Sequence, residues 1–265
     1  MTHHEGDRLD LELEEIAEVD VRIVAGEVSV TAGGREATSV RLEVEVLRGP
    51  PVGVDVHDGV LVVEHQPLRS ITRLLSGEMG VRANVSVIVP EGTETRVRTV
   101  SGDVFVGGIR SVTSLTTVSG RITATGLDGE VGLRTVSGDI DVQGVDGTVR
   151  ANAVSGDVTI SGGAPAEVTA RAVSGELTLD FDEVPDAVEC TTVSGDVAVR
   201  LPADADVDLE AVTVSGRLES GYPDVLDSSK RRLSGRIGEG GRRLSVRTTS
   251  GDVTVLRRAT ASADA

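Results

Sequence analysis

The sequence predicts an all-β protein whose main part is a parallel β-solenoid, a stack of short coils of strand. The tripeptide Val-Ser-Gly or a close variant recurs nine times, with its glycine at Gly102, Gly120, Gly138, Gly156, Gly175, Gly195, Gly216, Gly235 and Gly251. The spacings are 18, 18, 18, 19, 20, 21, 19 and 16 residues, a period typical of coils that bury apolar surface by stacking. Aromatic residues make up 1% of the chain, which favours narrow strands packed through small β-branched side chains.

Each coil of about 18 residues divides into two halves of nine, as in Val118-SGRITATG and Leu127-DGEVGLRT. The first, fifth and seventh positions of each half are apolar, and we expect all three to face the core. The fifth and seventh positions alternate as in a strand with one buried face. Ser-Gly or Asp-Gly at the second and third positions is turn chemistry. The pattern therefore predicts coils of two strands and two corners, stacked in chain order.

The chain before the regular repeats alternates like strand but lacks the period. Residues 9–99 are therefore predicted to form an irregular β opening that caps the solenoid and is partly antiparallel; a separate β-sandwich is the alternative. Val24-AGEV resembles a degenerate form of Val-Ser-Gly-Asp-Val. The regular repeats are expected at 100–258, and disordered ends at 1–8 and 259–265.

Charge and cysteine content restrict the partners and the compartment. The formal net charge is −17, which would repel a phosphate backbone and argues against nucleic acid. Cys190 is the only cysteine, so we expect no internal disulfide and a buried, small apolar role for this residue. The first residues lack the pattern of a signal peptide and no apolar run reaches the length of a membrane span. These features predict a cytoplasmic protein, with peripheral binding at the inner face of the membrane as an option.

The residue after Ser-Gly forms a column along the stack, and one run of it is acidic: Asp139, Asp157, Glu176 and Asp196. Like charges about 4.8 Å apart repel each other unless water or a cation screens them. One hypothesis is a ladder that binds a divalent cation, with Ca²⁺ favoured by the oxygen ligands. The alternative is a row of solvated carboxylates. Asp196 and Arg217 would be oppositely charged neighbours in the column.

Two surface segments are candidates for membrane or partner contact. The first has helical spacing and combines apolar with basic residues: Leu68, Arg69, Ile71, Arg73, Leu74 and Leu75. The second is the basic start of the C-terminal stretch: Lys230, Arg231 and Arg232. Either could lie on an anionic lipid surface or a protein partner; the alternatives are a solenoid cap and a solvated terminal coil.

Three longer segments resemble a known family: Val89-PEGTETRVRTVSGDVFV, Val199-RLPADADVDLEAVTVSGRL and Gly238-EGGRRLSVRTTSGDVTV. They are similar to the bacterial DUF4097 β-strand repeat proteins, which are also called candidate adhesins and are grouped with the toastrack domains. The resemblance implies a right-handed parallel β-solenoid, no catalytic residues and association with membrane-bound proteins of envelope-stress sensing.

These observations together predict a non-enzymatic scaffold or interaction protein. The repeated serines are expected to form corners, because no G-x-S-x-G elbow is present and all four histidines lie outside the repeats. No catalytic residue or cofactor is predicted. We expect a protein partner, which could be membrane-bound, and the solenoid ends offer strand edges for self-association. The alternatives are a surface adhesin and a polysaccharide-acting β-helix enzyme, although two Phe, one Tyr and no Trp leave few sugar platforms.

Overall fold

The computed structural model describes residues 2–3, 8–49, 51–65, 81–223, 225 and 227–258. Within these residues the chain forms 24 strands and no helix. It divides into two compact units, Met1–Gly132 and Leu133–Ala265. The all-β class is therefore confirmed, whereas the domain boundaries taken from the sequence stay predictions.

The strands of the first unit are β1 (Thr2–His3), β2 (Arg8–Glu14), β3 (Glu18–Ala32), β4 (Ser39–Arg48), β5 (Val52–His57), β6 (Val60–His65), β7 (Arg82–Val89), β8 (Glu94–Gly107), β9 (Thr113–Ser119) and β10 (Ile122–Thr125). A further strand, β11 (Asp128–Ser137), begins in the first unit and ends in the second.

Strands β3 and β8 are the first two parallel coils. They pair from Glu18 and Glu94 to Thr31 and Gly107, with Gly26 opposite Gly102 at the corner. The likeness of Val24-AGEV to the tripeptide is therefore a structural equivalence. The two parts of β8 pair in parallel with β9 and β10, which continues the same coil.

The opening of the first unit mixes strand directions, as the sequence predicts. On the edge of β3 away from β8, β6 pairs in parallel with its first part and β7 with its second. Antiparallel strands follow outward, with β4 on β7, β2 on β4, β5 on β6 and β1 on β5. The regular parallel coil therefore begins at β3.

The strands of the second unit are β12 (Ile140–Gln143), β13 (Asp146–Ser155), β14 (Val158–Ser161), β15 (Pro165–Ser174), β16 (Leu177–Asp180), β17 (Ala187–Ser194), β18 (Val197–Leu201), β19 (Val207–Ser215), β20 (Leu218–Ser220), β21 (Asp227–Ser229), β22 (Arg232–Ile237), β23 (Arg242–Ser250) and β24 (Val253–Arg257). The longer strands β13, β15 and β17 form one parallel ladder, and the shorter strands β12, β14, β16 and β18 form another. This arrangement confirms the predicted solenoid of two-strand coils.

The last coil of the chain lies inside the stack, which corrects the expectation that coils stack in chain order. Strand β23 pairs with β17 on one edge and with β19 on the other, and β24 lies between β18 and β20. The reason is that β22 runs antiparallel along the outer edge of β19, with Gly235 opposite Leu209. The inner edge of β19 is left for β23. Gly235 consequently lies within a strand and is not a repeat corner.

The corner glycines of the second unit are packed against backbone. A Cβ at Gly156 would lie 2.0 Å from the carbonyl oxygen of Gly138, and one at Gly195 would lie 2.0 Å from that of Gly175. The φ angles of Gly156 and Gly195 are 142° and 154°, a range that L side chains rarely adopt. Contact between coils at these corners therefore requires glycine.

The valines of the tripeptides are exposed, which corrects the expectation that they face the core. Val118 and Val136 are 44% and 45% exposed, whereas Leu127 and Val145, which begin the other half-coils, are each 1% exposed. Strand alternation explains the difference, because the residue before the valine, such as Thr135, is the one that points inward. The core therefore has fewer apolar residues per coil than the pattern suggests.

Cys190 is buried in β17 and forms no disulfide, as the sequence predicts. Burial, followed by the charge of Glu189, raises the pKa of its thiol to about 12. The thiol therefore stays protonated and inert at neutral pH.

Candidate functional site

The acidic column lies at the corners of the second unit, where three of its four carboxylates accept backbone N–H groups. The fourth, Glu176, accepts the Thr178 hydroxyl at 3.0 Å. Oδ1 of Asp139 accepts the N–H of Asp157 at 3.2 Å, and Oδ1 of Asp157 accepts that of Glu176 at 2.8 Å. Oδ1 of Asp196 accepts the N–H of Asp252 at 2.8 Å. Each of the three aspartates therefore links its coil to the next, which offsets part of the repulsion along the column.

The prediction that Asp196 and Arg217 are neighbours in the column is wrong, because the last coil lies between their coils and places Asp252 between them. Asp252 Oδ1 accepts the Arg217 N–H at 2.8 Å, and its Oδ2 accepts from the guanidinium at 2.9 Å. The backbone donor first, and the guanidinium second, lower the pKa of Asp252. In the part of the chain that the structure describes, no group of three or more His, Cys, Asp or Glu side chains could hold a metal ion. The cation ladder stays a prediction.

The two predicted contact segments differ in what the structure shows of them. The first, with Leu68, Arg69, Ile71, Arg73, Leu74 and Leu75, lies outside the described residues. In the second, Lys230 and Arg231 are exposed at the turn between β21 and β22, and Arg232 donates to Glu210 Oε1 at 2.7 Å. Arg232 is therefore part of an ion pair, and lipid or partner contact by the segment stays a prediction. Among the described residues no helix is long and apolar enough to cross a membrane.

A groove of about 670 Å³ lies on the outer face of the second unit, a size common for ligand sites. It is formed by the neighbouring strands β15, β17, β23 and β19. Its lining residues are Glu167, Val168, Thr169, Ala187, Val188, Glu189, Asp208, Leu209, Glu210, Arg243, Ser245 and Arg247. The side chains of Val168, Val188 and Leu209 are buried in the core, so the groove is mainly polar.

Ser245 lies at the centre of this groove. It pairs in register with Glu189 of β17 on one side and with Glu210 of β19 on the other. Strand alternation places Arg243 and Arg247 on the same face of β23, one before and one after the serine. Four long charged side chains therefore surround one short hydroxyl side chain.

The Ser245 side chain is buried and lacks a hydrogen-bond partner. The residue is 8% exposed, and its Oγ finds neither donor nor acceptor among the described residues. A buried hydroxyl without a partner costs about 1–3 kcal/mol. A water molecule or a ligand group in the groove would remove this cost.

Three of the four acids in the lining pair with arginines, most of which lie outside the lining. Glu189 contacts Arg171 at 3.4 Å, and Glu210 contacts Arg247 at 3.7 Å as well as Arg232. In the described residues, by contrast, neither Glu167 nor Arg243 forms an ion pair. The groove therefore offers both acceptors and donors, with four carboxylates against two guanidinium groups in its lining.

Asp208 is held at the rim of the groove by the C-terminal part of the chain. Its Oδ2 accepts the N–H of Gly241 at 3.1 Å, and its Oδ1 accepts from the Arg236 guanidinium at 3.1 Å. These donors, the backbone one first, lower the pKa of Asp208. This carboxylate therefore stays ionised and fixed.

Sequence reasoning missed this groove because it placed β23 at the end of the stack. Coils in chain order would set Glu189 beside Glu210, with Ser245 elsewhere. The outward alternation Arg243, Ser245 and Arg247 is visible in the sequence, but its two neighbouring strands are not.

Among the described residues, Ser245 is not paired with a group that could activate it as a nucleophile. A serine nucleophile needs a base within hydrogen-bond reach, and Ser245 Oγ has no partner in the residues that the structure covers. No histidine is among the described residues that line the groove. The repeated serines of the corners, such as Ser155 and Ser174, pair with each other along the ladder.

Comparison with known proteins places the chain in a family. The family model described as Toastrack DUF4097 matches residues 10–256. The chain belongs to the Toastrack DUF4097 family. This membership confirms the resemblance carried by the three repeat segments. No curated protein matches this Toastrack chain.

Several solved structures match the Toastrack chain over nearly its whole length. A candidate adhesin from Parabacteroides merdae is 12% identical, with 98% of this chain and 100% of that chain covered and a TM-score of 0.47. A candidate adhesin from Bacteroides fragilis is 15% identical, with 95% and 97% covered and a TM-score of 0.40. A candidate lipid-binding protein from Parabacteroides distasonis is 9% identical, with 97% and 98% covered and a TM-score of 0.39.

Proposed function

We propose that this Toastrack chain is a non-catalytic, adhesin-like interaction module that binds its partner in the groove formed by β15, β17, β23 and β19. The observation that carries the proposal is Ser245, a buried hydroxyl without a partner in the centre of a polar groove. Such a group is stabilised when a ligand or water supplies the missing hydrogen bond.

Rigidity of the groove supports the same proposal. Each of its four strands is paired on both edges, with β13 and β22 flanking the set. A surface made by interior strands is held in place before a partner arrives, which lowers the entropic cost of binding.

A substitution that fills the groove with a charged side chain tests this function. Ser245→Lys places a long side chain in the groove, where Glu189 and Glu210 can pair with it, so the fold should be retained. The control is Thr159→Lys on the outer face of β14, where Asp141 is the register neighbour. Equal melting temperatures for the wild-type protein and both variants would establish that they fold alike.

The readout is recovery of partners from native lysate, with soluble and membrane fractions kept apart and probed for protein and carbohydrate. We expect a component that the wild-type protein and Thr159→Lys recover and Ser245→Lys does not. Equal recovery by all three proteins would contradict the proposal.

A place in bacterial envelope-stress sensing is a finer proposal, which rests on the family resemblance of the repeat segments. It expects a membrane-protein partner at the inner face of the membrane. Recovery of the partner from the soluble fraction alone would overturn it, while the interaction role would remain.

A further inference from the structure

We infer that the ligand of the groove is a neutral polyhydroxyl chain, that is, a glycan without charged sugars. This inference rests on the proposed function, because it names the chemical class of the partner that the groove binds. It follows from the side chains around Ser245 and from the pairing of the strands beneath them.

The lining matches hydroxyl groups that both donate and accept. The carboxylates of Glu189 and Glu210 only accept hydrogen bonds, whereas the guanidinium groups of Arg243 and Arg247 only donate them. Adjacent sugar hydroxyls can satisfy both kinds of group at once. The glycan would therefore bind through hydrogen bonds and without stacking on aromatic rings, because the described residues that line the groove include no aromatic side chain. Ser245 between them can donate or accept, and it has no partner within the described chain.

Charge disfavours an anionic or a cationic ligand. An anion such as a phosphate headgroup would meet four lining carboxylates, those of Glu167, Glu189, Asp208 and Glu210, against two lining guanidinium groups, those of Arg243 and Arg247. A cationic ligand would compete with arginines that already pair with most of these acids, as Arg171 does with Glu189. A neutral ligand can hydrogen-bond to paired charges without breaking the pairs.

The strand pairing disfavours a peptide. A peptide that binds as an added strand needs a free sheet edge, and both edges of β15, β17, β23 and β19 are occupied. A peptide that binds through side-chain anchors needs apolar pockets. Ala187 is the only apolar lining residue that is not buried in the core.

The test is affinity electrophoresis of the whole protein in gels that contain dextran, xylan or laminarin, supported by an array of neutral and anionic oligosaccharides. We expect at least one neutral glycan to retard the wild-type protein and Thr159→Lys, and none to retard Ser245→Lys. Replacing both carboxylates, Glu189→Gln and Glu210→Gln, should weaken the binding by about tenfold, since hydrogen bonds to charged acceptors are lost. Added salt should leave the binding unchanged.

The outcomes separate this inference from the function beneath it. If no neutral glycan binds while the lysate yields a protein partner that depends on Ser245, the glycan class is wrong and the interaction role stands. Binding of anionic glycans alone, or binding abolished by salt, also overturns the neutral class. If Ser245→Lys changes neither glycan binding nor recovery from lysate, the groove is not the interface and both proposals fail.

Discussion

At five corners of the second unit, the glycine after the serine lies against a carbonyl group of the neighbouring coil: Gly156, Gly175, Gly195, Gly216 and Gly251. Gly156 shows what this requires, because a Cβ there would overlap the oxygen of Gly138. Gly144 lies at another corner with a φ of 61° and open space around the position of a Cβ. The two glycines therefore separate the effect of packing from that of backbone conformation.

We expect Gly156→Ala to destabilise the protein by about 3 kcal/mol or more, because a clash between coils adds to the backbone strain of a positive φ. Gly144→Ala, with the strain alone, should cost about 1–2 kcal/mol. Chemical denaturation of both variants checks the difference. Equal losses of stability would show that contact between coils at Gly156 is unimportant.

His65 introduces a dependence on pH in the first unit. Its Nδ1 accepts the N–H of Val24 at 3.1 Å, and burial lowers the pKa of its imidazole from 6.5 to about 4. The unfolded chain therefore binds a proton at a higher pH than the folded chain does. The stability that this histidine contributes is complete above pH 6.5 and is lost as the pH falls toward 4.

This shift predicts a loss of about 2 kcal/mol in the free energy of unfolding between pH 7 and pH 5. His65→Asn, whose side-chain oxygen can replace Nδ1 as acceptor, should show a smaller loss over the same range. His57→Asn is the matched control, because it makes the same substitution at a side chain that is 87% exposed. Unfolding measured at both pH values decides the matter, and identical curves for His65→Asn and the wild-type protein would refute the assignment.

At the scale of elements, strand β23 is near the C-terminal end of the chain but in the interior of the sheet. Terminal strands commonly fray, whereas β23 has a parallel partner on each edge and buries Leu244 and Val246. The hairpin of β21 and β22 covers the outer edge of β19. The end of this ladder is thus closed by antiparallel strands, with Arg232 and Arg236 bound to acids of β19.

Hydrogen exchange should therefore protect the amides of β23 about as strongly as those of β17, and more strongly than those of β21. Mass spectrometry of peptides that cover 242–250, 187–194 and 227–229 measures this. Rapid exchange throughout 242–250 would contradict the interior position of the last coil.

For the whole molecule, the class and the coil were predictable and the order of the coils was not. The corner glycines and the alternation of residues such as Val158 and Ile160 determine a parallel coil, because each half repeats the same turn and strand chemistry. The order is not determined in this way, since parallel coils with the same pattern present nearly equivalent edges. The position of β22 determines the order of the coils, because it occupies the outer edge of β19. Its sequence Leu233-Ser-Gly resembles a repeat corner but forms part of an antiparallel strand.

The candidate site depends on the order of the coils, which was not predictable from the sequence. Glu189, Glu210 and Ser245 belong to three different repeats, and only the inserted coil brings them side by side. The prediction that the tripeptide valines face the core was wrong for a simpler reason, because an apolar residue beside a corner can lie on either face of a strand. Periodicity alone does not decide which.

The position of the last coil also affects how the protein can be made. Residues 242–257 leave the ribosome after β17, β18, β19 and β20 have been synthesised. In the folded protein, however, β23 lies between β17 and β19, and β24 lies between β18 and β20. Before β23 is synthesised, β17 and β19 each have a strand edge that lacks its final partner. The groove is then incomplete, because β23 is one of the four strands that form it. Assembly of the groove is therefore tied to completion of the C-terminal coil, so a nascent chain that stops short of it would carry the corners of the solenoid without the groove.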